Sequence, residues 1–254
     1  LAFSVFAGLS LNALGVNRPA WALCIASFFA WALLETLYNW LWIKTISRSD
    51  LPLFVRWSEN TDGDEWPVNR RSLLMRDWLR ANGFRKLTSV KADLGPFGVL
   101  RSSLYENPED HLRCQILFFP QASGSIQTAH QLMTRTKEGE LVVTDNSFLP
   151  SAAYWPNDWF VERHPLVRSL PKLARKHRRR LREFAVEPAP WPEGEAVVEL
   201  NEHQRILERL NLRRGFLQPY ERREENGRIT RQGRYRLWKE IWLLNYFGST
   251  IHDD

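Results

Sequence analysis

The first 43 residues carry only two charged side chains, Arg18 and Glu35, whereas everything from Lys44 onward is dense in charge. A run so poor in charge has to leave water, and its layout says how. Residues 1–16 read LAFSVFAGLSLNALGV and residues 21–43 read WALCIASFFAWALLETLYNWLWI. At about 1.5 Å per residue, the second run is long enough to cross a hydrocarbon layer of about 30 Å. Between the two runs, Asn17-Arg18-Pro19 combines turn formers with a helix breaker. The pattern predicts a two-helix transmembrane hairpin over residues 1–46, with antiparallel spans. The chain starts at Leu1 rather than Met, and the first span is expected to extend further.

Trp21 at one end and Tyr38, Trp40 and Trp42 at the other are spaced like interfacial aromatic belts. Lys44, Arg48 and the basic remainder outweigh the single Arg18 on the opposite side, which places the C-terminal part in the cytoplasm. A cleaved signal peptide is the competing reading of the first run. It is disfavoured because no small-residue cleavage site stands out and a longer apolar run follows at once. A buried hairpin of a soluble protein would carry a polar face, which neither run has. Glu35 sits within the second run, and Asn39 lies one turn later on the same helical face. In hydrocarbon such side chains turn toward a partner helix or a polar cavity, so they are candidates for holding the hairpin or an oligomer together.

The remaining chain predicts a linker over 47–68 and one basic α+β domain over 69–254, within a protein of 254 residues and net charge +6. The segment 58–64, with Asp62-Gly63, reads as a loop. An amphipathic helix opens at Asn69, sets Leu74, Met75, Trp78 and Leu79 on one stripe and stops at Asn82-Gly83. Strand-like runs follow at 87–90, 98–105, 112–119, 126–134 and 140–144. Their short turns predict an antiparallel meander sheet, with helices packed on one face and the other face left to solvent or a partner. A loop rich in proline and tryptophan spans 151–165. A helix over 170–184 then puts Leu170, Leu173, Ala174, His177, Leu181 and Phe184 on one side. Asn201 and Gln204 have the spacing of a capping box for a following helix, and a last helix runs from about Thr230 to Phe247. Its mixture of arginines and aromatics also suits a membrane interface.

The other side of the 170–184 helix carries Lys172, Arg175, Lys176, Arg178, Arg179 and Arg182, which are candidates for contact with an anionic lipid or ligand. A solvated helix face is the plain alternative. Nucleic acid is not expected as a partner, because no binding motif accompanies the basic run. Two cysteines, Cys24 and Cys114, give no disulfide framework and suit a reducing compartment. The histidines at 111, 130, 164, 177, 203 and 252 lack metal-ligand spacing, so no metal or other cofactor is expected. Ser123-Gly124-Ser125 lacks the glycines of a nucleophile elbow and reads as a turn.

Thr144-Asp145-Asn146, the prolines after it and His177-Arg178-Arg179 together resemble a pattern in uncharacterised bacterial membrane-anchored proteins. The resemblance covers about the middle third of the chain. It implies a shared fold and a bacterial cytoplasmic membrane, and transfers no catalytic residue. The function expected is a noncatalytic scaffold or accessory subunit of a membrane complex, partnered by the bilayer and by another membrane protein or a second copy. The alternative is a membrane-tethered sensor or effector that binds a small anionic ligand or anionic lipid.

Overall fold

The computed structural model describes residues 2–62, 66–67, 69–121, 124–192, 194, 196–248 and 250; Leu1, Gly63, Asp64, Ser123 and His252 lie outside them. The chain forms two compact units, Leu1–Ser47 and Arg48–Asp254.

In the first unit, α1 (Ala2–Ala13) and α2 (Ala20–Arg48) are separated by the predicted break. Among the described residues only α2 is long and apolar enough to cross a membrane, and 6 % of its most apolar window is buried. A core helix of a soluble protein would be largely covered, so this exposed apolar surface supports membrane anchoring. The expected pair of complete spans is not matched: α1 has 12 residues and reaches about 18 Å. The two helices approach closely where Gly8 faces Cys24. A Cβ on Gly8 would lie 2.6 Å from the Cys24 backbone, which is the close approach that small residues allow between apolar helices.

The second unit is an α+β fold around a seven-stranded sheet in sequential order. Strands β1 (Ser58–Glu59), β2 (Arg85–Asp93), β3 (Val99–Asn107), β4 (Leu112–Pro120), β5 (Ile126–Arg135) and β6 (Leu141–Asp145) form an antiparallel meander. The turns are those the residues demand. Asn107 Oδ1 accepts from the Glu109 and Asp110 backbone N–H groups, and Gly139 supplies a φ of +89° between β5 and β6. The last strand, β7 (Trp159–Arg163), pairs with β6 in parallel.

Alternation along β4 sorts the core. Leu112, Cys114, Ile116 and Phe118 join a cluster with Leu79 of α3 (Arg70–Ala81) and Leu170 and Leu173 of α4 (Leu170–Glu183). Leu79, Leu112, Ile116 and Leu173 have no exposed surface, and each such side chain contributes about 2 kcal/mol by burial. Opposite them, Val90, Leu100 and Leu104 pack with Leu200 of α5 (Ala196–Arg213). On that second face Arg113 is buried, paired with Glu106 at 2.8 Å and with Glu199, its guanidinium over the Trp191 ring. Short α6 (Arg223–Asn226) and then α7 (Arg231–Phe247) complete the chain.

Several sequence expectations for the second unit change. Both faces of the sheet are covered, because α5 and Trp191 occupy the one left open. The stretch 47–68 contributes edge strand β1, with Ser58 opposite Lys91. The Pro/Trp-rich segment contains β7. Asn201 is no cap, since α5 starts at Ala196. Its side chain instead accepts from Trp57 N–H and donates to Trp57 C=O. Asn211, three turns along α5, bonds Tyr154 N–H and C=O in the same way. These two asparagines hold extended segments against α5 as a neighbouring strand would.

Candidate functional site: a basic cleft between two helix starts

Glu35 is half-buried and Asn39 is buried on α2; among the described residues the Asn39 side-chain nitrogen meets no hydrogen-bond partner. The six basic residues predicted on α4 divide into two groups. Arg178 forks onto Asp110 at 2.6 and 3.0 Å and serves packing. Lys172, Arg175, Arg179 and Arg182 are exposed, and Lys176 is half-buried. The exposed four recur at i, i+3, i+7 and i+10, which is one stripe of the helix. Of these, Arg179 pairs with Glu183 at 3.3 Å. Leu170, Leu173, Ala174 and His177 are buried, so the stripe is not needed for the core.

Thr144-Asp145-Asn146 becomes three buried connections. Thr144 Oγ1 meets His177 Nδ1 at 2.9 Å, and His177 Nε2 meets Thr134 Oγ1 at 3.0 Å. Burial, reinforced by Arg180 and Arg178, pushes the His177 pKa down to about 3, so this imidazole is neutral. Asp145 lies 3.5 Å from Arg163, which also pairs with Glu240. Glu240 in turn accepts from the Ser151 and Ala152 backbone N–H groups. Burial raises the Asp145 pKa against the pull of Arg163. These groups fasten β6, β7 and α7 together.

Asn146 points to the most informative site. Its Oδ1 accepts from the His130 backbone N–H at 2.6 Å, and its Nδ2 donates to Val167 C=O at 2.7 Å. Those two backbone partners fix which end of the amide is which. The same Nδ2 lies 3.0 Å from His130 Nδ1, so Nδ1 must accept and the imidazole proton sits on Nε2. Burial, with Arg71 nearby, pushes the His130 pKa down to about 4, and the ring is a neutral donor. That Nε2–H faces Met75 Sδ at 3.0 Å, a weak acceptor.

Around this ring open two adjoining recesses that share Arg71, Met75 and Arg168, of about 480 Å³ and about 510 Å³. The first is polar, with Asn69, Ser72, Gln127 and Thr128 on its wall. The second is apolar, with Leu74, Trp78, Leu166 and His130, and ends at Lys172. Among the described residues lining either recess there is no carboxylate. Both α3 and α4 begin here. Asn69 caps α3 by accepting from Ser72 N–H. Ser169 makes no side-chain cap on α4, leaving the positive end of its dipole open. Arg71 is held by donating to Arg168 C=O at 2.7 Å.

Sequence reasoning named Lys172 as one of the basic residues of α4, without a cleft, and did not single out Arg71, Arg168 or His130. Arg71 and Arg168 lie 97 positions apart, and the local signal that existed was Asn146 in the motif. Leu74, expected in the core stripe of α3, is 59 % exposed at the cleft mouth. Comparison with family models, curated proteins and solved structures found no match.

Proposed function

We propose that this protein is a membrane-anchored binding module whose soluble domain engages anionic lipid through α4. In this reading α1 and α2 insert as a hairpin into a bacterial cytoplasmic membrane, and the basic domain faces the cytoplasm. The observation that carries it is the exposed stripe Lys172, Arg175, Arg179 and Arg182, set on a helix that packs Leu170, Leu173, Ala174 and His177 into the core, although Phe184, expected on that buried side, is 71 % exposed. A basic side chain held near an anionic surface contributes about 1 kcal/mol, so a stripe of this size biases how a tethered domain rests on the bilayer.

A second reading, a noncatalytic scaffold or accessory subunit of a membrane complex, is favoured by Asn39 on α2, whose buried side-chain nitrogen has no partner among the described residues. Polar groups at that depth suit an interhelical partner from another chain. Native mass spectrometry of the full chain in mild detergent tests both. Retention of anionic over zwitterionic phospholipid, lost in Arg175→Ala/Arg182→Ala, supports the lipid-binding module. A stoichiometric partner protein or second copy supports the accessory subunit, and a bare monomer counts against both.

A further inference from the structure

Three cations converge on the cleft between α3 and α4 with no acidic residue among its described lining, and such an arrangement carries a net positive field that a bound anion would relieve. Arg71 and Arg168 stand where the polar and apolar recesses meet, and Lys172 closes the apolar side. His130, 2 % exposed, adds a neutral N–H donor whose present acceptor is a thioether. An anion oxygen that displaces the flexible Met75 side chain would give this donor a strong acceptor. Two guanidinium forks favour a multi-oxygen anion over a single carboxylate. The two recesses, one polar and one apolar, suit a ligand whose charged group separates a polar portion from an apolar one. Leu74 and Leu166, 59 % and 75 % exposed, give the apolar recess a greasy mouth.

We propose that this cleft binds a phosphate monoester, with the phosphate at the junction held by Arg71, Arg168 and Lys172 and accepting a hydrogen bond from His130 Nε2–H. Of the proposed lipid-contact stripe the site uses Lys172 and none of Arg175, Arg179 and Arg182, so phosphate binding does not rest on that lipid contact. The phosphate belongs either to a soluble ester or to a lipid headgroup.

Isothermal titration of the full chain in mild detergent distinguishes these sources, using glycerol 3-phosphate, dioctanoyl phosphatidic acid and, as the diester control, dioctanoyl phosphatidylcholine. Saturable, equimolar binding is expected for at least one of the two monoesters. Binding of both with similar affinity identifies a soluble phosphate ester as sufficient, and binding of phosphatidic acid alone identifies a lipid headgroup. Arg71→Ala/Arg168→Ala weakens binding by about tenfold or more, the scale of losing charge-assisted hydrogen bonds. Lys172→Glu, on an exposed side chain, weakens it too. Arg175→Ala/Arg182→Ala leaves it within about twofold. Absence of saturable binding, equal binding of phosphatidylcholine, or unchanged affinity in folded cleft variants overturns the proposal.

Discussion

Replacing Asn146 with leucine, the apolar side chain closest to it in branching, removes one amide that serves three partners, two of them on buried His130. His130 N–H loses an acceptor at 2.6 Å, Val167 C=O a donor at 2.7 Å and His130 Nδ1 a donor at 3.0 Å. Each buried group left unsatisfied costs about 1–3 kcal/mol. The added apolar burial returns about 1–2 kcal/mol, and the net expected loss is about 3 kcal/mol. Against a domain stability of about 5–15 kcal/mol, this is a large fraction. It is read as a lower midpoint, at unchanged slope, in urea unfolding of the full chain in mild detergent followed by near-UV circular dichroism. Val167 directly precedes Arg168, so the same substitution also loosens the cleft. A loss below about 1 kcal/mol would show that Asn146 does not organise this region and that the His130 tautomer is not fixed by it.

Acid should destabilise the domain well above the carboxylate range. His130 and His177 fall from an ordinary 6.5 to about 4 and about 3 in the folded chain. The unfolded chain therefore takes up protons that the folded chain refuses, and stability is complete above the ordinary value and declines as pH falls through it. Thermal midpoints measured from about pH 7.5 to about pH 5 should drop steadily, and a flat profile would contradict neutral buried imidazoles. Arg163→Met leaves Glu240 and Asp145 without their shared cation and should cost about 3–5 kcal/mol, with partial recovery on adding Glu240→Gln; equal unfolding midpoints for parent and variant would refute it. Gly8→Val drives a side chain into the Cys24 backbone and should speed Cys24 labelling by a membrane-permeant maleimide, whereas an unchanged rate would mean that α1 does not shield Cys24.

Local pattern carried the sequence reading a long way. The α3 boundaries followed from Asn69 as cap and Asn82-Gly83 as stop, and the meander followed from alternation and turn residues. The failures share a physical cause, which is a partner distant in sequence. Asn201 has cap-like spacing, but its hydrogen bonds go to Trp57, 144 residues away. Strand β7 hides because Trp159-Phe160-Val161 follows prolines and because a parallel pairing has no adjacent hairpin turn to announce it. The cleft is assembled from the starts of two helices and a strand residue, so Arg71, His130 and Arg168 carry no shared local signal. The basic side of α4 was visible in the spacing, but only the fold separates the structural Arg178 from the exposed stripe.

The proposed lipid contact of the second unit depends on the chain being held in a bilayer by α2. Alkaline carbonate extraction of membranes from cells producing the full chain addresses this directly. An integrated α2 keeps the protein in the membrane pellet together with known integral proteins. Recovery in the supernatant, as folded protein, would mean that the apolar helix is not inserted and that the exposed surface of the first unit is covered in some other way.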